Sequence, residues 1–153
     1  MFWIGFTPEN VLELEPGEEG LTGMLMLGHH EETFIAHTWT WCSQQYLEHW
    51  RQGLTRALGG QPSALITDMR TPAQSSHLVW WPVWKLGREL VFQNQALFFA
   101  KQNVAGAHID VEHLYSLIGR HTSLNNEGIP ISEWVAPISD VEGFLASYPS
   151  RED

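Results

Sequence analysis

Apolar positions along the chain fall first into short, strand-like runs and then into a helical stripe. FWIGF (2–6), VLELE (11–15), LTGMLML (21–27) and ETFIAHTW (32–39) read as short strands separated by Pro/Gly/Glu and His/Glu turns. The period then changes. From Ser43 as N-cap, Leu47, Trp50, Leu54 and Leu58 follow at helical spacing until Gly59-Gly60 closes the segment. Gln45, Glu48, Gln52 and Arg56 occupy other faces, so this helix lays one stripe on something apolar. Gly53 within it costs about 1 kcal/mol relative to alanine. SALITDMR (63–70) is the next strand. A second helix starts at Asp110, with Leu114, Leu117 and Ile118 on one side, and GRHTSLNNEG (119–128) is a loop of turn formers. IPISEWVAP is a short strand bounded by prolines. A last helix begins with SDVE, where Ser139 and Glu142 have capping-box spacing. Runs of strands with helices between them, and no βαβ rhythm, predict one α+β domain over 1–153, a mostly antiparallel twisted sheet with about three helices packed on it.

The segment SHLVWWPVWKLGRELVFQNQALFF (76–99) folds on paper into a hairpin. Gly87-Arg88 fits a two-residue type II′ turn, which pairs Trp84 with Val91, Val83 with Phe92 and Trp81 with Asn94. One face then carries Val79, Trp81, Val83, Leu90, Phe92, Ala96 and Phe98, a core face. The other carries Leu78, Trp80, Trp84, Val91 and Leu97, edged by Gln93 and Gln95. Pro82 has no N–H and predicts an edge or a bulge. The expected cover for Trp80 and Trp84 is the 43–58 helix; left uncovered, they would mark a binding site.

Composition sharpens this picture at two points. Eight tryptophans among 153 residues are far above ordinary usage, and aromatics dominate both cores and binding hot spots. The net charge of -10 is unevenly spread: residues 1–50 hold eight acids and no Lys or Arg. Residues 51–107 hold six Lys/Arg against two acids, and 108–153 return to eight acids against two arginines. Such a surface repels phosphate and attracts basic partners at long range. The basic footprint of a nucleic-acid binder is missing. No apolar run approaches the roughly 18 residues of a membrane span, and MFWIGFTPEN has no basic n-region of a signal peptide. The lone Cys42 excludes an internal disulfide and suits a reducing cytoplasm.

No specific catalytic signal stands out. The chain has no P-loop, no G-x-S-x-G, no G-x-G-x-x-G and no cysteine pair for zinc. His29-His30 beside Glu31-Glu32 chelates poorly, because adjacent strand residues point to opposite faces. His108 and His113 are five apart and do not align on one helix face. Cys42 with His37 or His49 is a thinkable nucleophile pair, yet lone cysteines usually serve as inert small hydrophobes. Catalytic residues, metal ligands and cofactors are therefore all predicted as none.

WTWCSQQYLEHWRQGLTRAL at the first helix, WKLGRELVFQNQALFF at the hairpin and GIPISEWVAPISDVEGFL near the C-terminus together resemble the immunity proteins of bacterial contact-dependent growth inhibition systems. ISEW (131–134) followed by a short helix is the most distinctive of these motifs. Within the family they resemble the subgroup whose fold is similar to Whirly single-stranded nucleic-acid-binding proteins. The resemblance implies a cytoplasmic, non-enzymatic protein that binds the C-terminal domain of a cognate toxin, often a nuclease, in a one-to-one complex. It does not assign contact residues. Charge and pairing do: Glu13, Glu15, Glu18, Glu19, Glu31 and Glu32 are candidate steering and contact charges, with Trp80 and Trp84 as candidate anchors. The competing readings are a ligand-binding or protein-binding module with a Trp-lined pocket, a hydrolase of convergent His and Glu residues, and a Whirly-like nucleic-acid binder.

Overall fold

A computed structural model of the chain describes residues 1–13, 19–106 and 108–148, and residues 8–13 as backbone only. Its first half is an antiparallel sheet of β1 (Phe2–Glu13), β2 (Glu19–Leu27) and β3 (His30–His37), in that order. The two expected strands FWIGF and VLELE belong to one strand. Between Phe6 and Val11 β1 advances five residues while β2 moves from Gly23 to Leu21, so the surplus bulges out of the ladder. Pro8 lies in that stretch, and an edge strand tolerates its missing N–H. Residues 14 and 15 of the expected strand lie outside the described residues. β3 begins at His30 and ends at His37, two residues earlier than expected at either end.

The second sheet runs β4 (Ser63–Asp68), β5 (His77–Leu86), β6 (Glu89–Gln93), β8 (Glu133–Pro137), and β7 (Gln95–Phe98) also pairs with β5. The hairpin has the predicted register, with Trp84 opposite Val91 and Val83 opposite Phe92. Gly87 has φ +63° and Arg88 is not in the left-handed region, which is the type II′ pattern. The ladder lapses at Asn94 and resumes in the same register at Trp80 and Gln95.

The two sheets enclose the core. Phe2, Ile4, Leu25 and Leu27 from the first face Trp81, Val83, Leu90 and Phe92 from the second, and the rings of Phe2 and Phe92 stack at 5.7 Å. Ala96 and Phe98, expected on this core face, are exposed instead, Phe98 by 43%. They lie on β7, past the break at Asn94, where the first sheet no longer covers the second. Helix α3 (Ile138–Ala146) closes one end through Phe144 against Phe2 at 5.3 Å. Its N-cap is Pro137, not Ser139, because the Ile138 N–H donates to the Arg88 carbonyl at 2.9 Å and starts the helix sooner.

Helix α1 (Ser43–Leu58) is capped by Cys42 rather than Ser43; the Cys42 N–H donates to Gln45 Oε1 at 2.9 Å. The helix was expected over Trp80 and Trp84. It lies instead along the free edge of β4, and the reason is in its polar tips. His49 Nε2 accepts the Ile66 N–H and Trp50 Nε1 donates to the Ile66 carbonyl, both at 2.8 Å. Tyr46 Oη accepts the Met69 N–H at 2.9 Å, and Ser63 Oγ donates to the Gly53 carbonyl at 2.8 Å. Side chains thus take the place of a neighbouring strand on an edge that would otherwise be open. Gly53 is what lets helix and strand approach: a Cβ there would stand 2.9 Å from both the Ala64 carbonyl and Leu65 Cδ2. Gly53→Ala is therefore expected to lower stability by about 1 kcal/mol, overpacking outweighing the gain of about 1 kcal/mol in helix propensity. Urea unfolding decides it; a stabilised variant would mean that the close approach is slack.

Candidate functional site

Trp80 and Trp84 do form one wall of a cleft, but the opposite wall is not α1. It is the chain that follows the short helix α2 (Val111–Ser116), which Asp110 caps by accepting the Glu112 N–H at 3.1 Å. The cleft has a volume of about 260 Å³. Trp80, Pro82, Trp84, Gln93, Gln95 and Leu97 supply the sheet side, and Leu117, Ile118, Gly119, Arg120, Thr122 and Ile131 the other. Trp80 is only 5% exposed, while Trp84 is half-buried and its indole N–H donates to the Gly119 carbonyl at 3.0 Å. Trp84 is therefore the accessible rim of the pair, and Trp80 the floor.

A chain of hydrogen bonds stiffens the polar side of this cleft. Gln95 Nε2 donates to Gln93 Oε1 at 2.7 Å, and Gln93 Nε2 donates to the Thr122 carbonyl at 2.9 Å and to Glu133 Oε1 at 2.7 Å. His121 Nε2 meets the same Glu133 oxygen at 2.5 Å. Neither was a candidate site residue: Glu133 entered the sequence reading only as part of the ISEW motif, and His121 only within the turn-forming loop, 12 residues away. Here they anchor Gln93 from behind the cleft wall.

The other titratable candidates are held in structural roles. His49 is buried, and burial pushes its imidazole from 6.5 down to about 3, so the ring is neutral; its one acceptor nitrogen, Nε2, is already taken by the Ile66 N–H at 2.8 Å. Cys42 itself is exposed at the head of α1, on a groove lined also by Trp41, Glu48, His49 and Gln52. His37 Nδ1 lies 2.9 Å from Asp68 Oδ1, and Arg70 holds the other oxygen of that carboxylate at 2.9 Å. This triad, with His37 and Asp68 buried and Arg70 half-buried, joins the end of β3 to the end of β4. Among the described residues no three His, Cys, Asp or Glu side chains are grouped to hold a metal ion, and no helix is long and apolar enough to cross a membrane.

The acidic candidates among the described residues do not converge on one point. Glu15 and Glu18 lie outside the described residues, and Glu13 is placed only as the backbone partner of Glu19, the last pair of the β1–β2 ladder. Glu19 is exposed there. Glu31 and Glu32 stand at the other end of the sheet, opposite Met26 and Leu25, six residues or about 20 Å along β2. Being adjacent on β3, they point to opposite faces. Glu31 is exposed; Glu32 turns inward, accepting from Asn94 Nδ2 at 3.0 Å beside His30, whose ring stacks on Trp134 at 4.3 Å. Glu32 therefore reaches the second sheet at the Asn94 break, with the Trp80–Trp84 cleft on that sheet's far face.

This architecture has counterparts. Over 97% of its length the chain superposes, at a TM-score of 0.83 and 22% identity, on 98% of a chain of a CdiA-CT/CdiI toxin and immunity complex from Enterobacter cloacae. No curated protein matches the sequence. Residues 36–144, from the end of β3 through α1, the whole second sheet and most of α3, match the family model of the CdiI N-terminal domain. That span is more than half of the chain, and the protein belongs to the CdiI family.

Proposed function

We propose that the chain is an immunity protein that binds and neutralises the C-terminal toxin domain of a cognate contact-dependent growth inhibition effector. Family membership carries the reading, and the fold shared with a chain of a toxin and immunity complex supports it. The protein acts in the cytoplasm as a non-catalytic inhibitor in a one-to-one complex. Its toxin is a nuclease, because a polyanion-binding cleft is the natural complement of a chain with net charge -10. Glu13, Glu15, Glu18, Glu19, Glu31 and Glu32 steer that encounter, and the half-buried rim at Trp84 is one place for an apolar contact, with Trp80 beneath it. Charge accelerates association up to about 10⁸–10⁹ M⁻¹s⁻¹ at low salt, but nanomolar binding needs about 12 kcal/mol and so needs desolvated contacts too.

The test is growth rescue. The C-terminal domain encoded by the neighbouring upstream toxin gene is expressed with and without this chain, and the two are copurified. Rescue with a stable one-to-one complex is the expected result. A toxic domain neither rescued nor bound overturns the proposal. A second reading, a ligand-binding module, rests on the Trp80–Trp84 cleft with its fixed amides Gln93 and Gln95. It gains ground only if rescue fails and a small molecule copurifies in that cleft.

A further inference from the structure

The first sheet has a second face. Register sets Trp3 beside Met26 and Met26 beside Glu31; Gly5 and Met24 form the next row, and Ile35 lies opposite Thr22. All these side chains have the parity opposite to Phe2, Ile4, Leu25 and Leu27 and so point away from the core. The neighbours of the sheet meet it from inside: Phe144 on Phe2, Trp50 on Phe6 and Phe34, Trp134 on His30. Ile35 is 40% exposed, and Trp3, Met24 and Met26 are half-buried. Among the described residues Trp3 has no ring partner, and its indole N–H makes no hydrogen bond. The ring lies flat over Gly5, where a Cβ would stand 2.6 Å from two of its ring carbons.

We infer that this outer face, rather than the Trp80–Trp84 cleft on the opposite side of the molecule, is where the basic toxin domain docks, with Trp3 as the central anchor; the inference rests on the immunity reading above. Three observations fit that occupant. The outer face carries Glu31 at its rim, and residues 2–37 hold no Lys or Arg, so a partner bearing cations around an apolar spot complements it. Trp3 is already fixed in a flat pose by Gly5, which removes part of the ordering cost of an anchor. Two methionines beside it give a polarizable surface that adapts to a partner's shape. Size adds a constraint. Three strands over eight residues span roughly 14 by 26 Å, about half of the ~800 Å² that one partner contributes to an ordinary interface. The toxin must therefore also cover the rim, and Glu31 stands there.

The experiment is calorimetric titration of the full chain with the upstream gene's toxin domain, carrying an inactivating substitution, beside sedimentation of the chain alone. Trp3→Ala and, as a second variant should that one fail to fold, Met24→Lys are each expected to weaken Kd by about 30-fold or more. Phe98→Ala, on exposed β7, is expected to leave it within about 3-fold. If the unsubstituted chain binds and both face variants stay within about 3-fold, this inference is overturned and the immunity reading stands. If the unsubstituted chain does not bind at all, both are overturned. If the chain alone is a dimer that Trp3→Ala dissociates, the face joins two copies, and the inference is again overturned.

Discussion

Trp50→Ala is expected to destabilise the protein by about 4 kcal/mol, read as a shift of the urea midpoint at unchanged slope. Trp50 is fully buried on α1 and sits where every layer meets: Phe6 lies 5.1 Å away, Phe34 5.7 Å and Tyr46 5.8 Å between ring centroids. Truncation leaves a cavity among rigid rings and also orphans the Ile66 carbonyl, which has accepted the indole N–H at 2.8 Å. Large aromatic truncations cost about 3–5 kcal/mol, and an unsatisfied buried acceptor adds about 1–3. Relaxation of the surrounding rings offsets part of that sum. Small domains are stable by only about 5–15 kcal/mol, so the variant should hold little of its folded population in mild denaturant. Trp50→Phe separates the two causes. It keeps most of the volume and loses the N–H, and about 1–3 kcal/mol is expected for it. A loss below about 2 kcal/mol for Trp50→Ala would show that α1 does not tie the sheets together through this residue.

What the sequence reveals and hides follows from how local each signal is. The hairpin at Gly87-Arg88 was legible to the residue, because turn chemistry and two-residue alternation together set a register that packing then had only to accept. The start of α2 at Asp110 was legible for the same reason, a short polar side chain ahead of an apolar run. The fusion of FWIGF and VLELE was hidden, since Pro8 reads as a stop unless the strand is known to be an edge. The destination of α1 was hidden as well. Its stripe predicted an apolar support, while Tyr46, His49 and Trp50 carry polar tips that match the backbone of an unpaired strand. For the candidate site, the sequence identified Trp80 and Trp84 and the amides Gln93 and Gln95 on one face. It could not identify the wall opposite them, which comes from residues 117–131 and is fixed by long-range contacts such as Trp84 to Gly119. Acidic residues were visible as a count but not as a place: one register puts Glu19 and Glu32 about 20 Å apart.

Acid is expected to weaken the protein through His49 more than through any surface charge. His49 Nε2 accepts the Ile66 N–H at 2.8 Å, so the neutral ring carries its proton on Nδ1 and a second proton would destroy the bond. Burial pushes the folded pKa down to about 3 from the ordinary 6.5. Between those two values the unfolded chain binds a proton that the folded chain refuses. Stability therefore rises with pH across this window, is fully present above about 6.5, and falls by up to about 1.4 kcal/mol per unit as the solution is acidified toward 3. At pH 4.5 the loss from this one residue is about 2–3 kcal/mol. The chain holds seven other histidines, so the measurement is a difference. Urea midpoints of the wild type and of His49→Gln, whose side-chain oxygen can still accept from Ile66, are compared at pH 7.5 and 4.5. The wild type should lose about 2–3 kcal/mol more than the variant. Parallel losses would mean that the ring reaches water and titrates normally, and that the seal between α1 and the edge of β4 opens without cost. A steeper wild-type loss would place the acid-sensitive point of the fold on that seal, behind the core and away from both the cleft and the outer face of the first sheet.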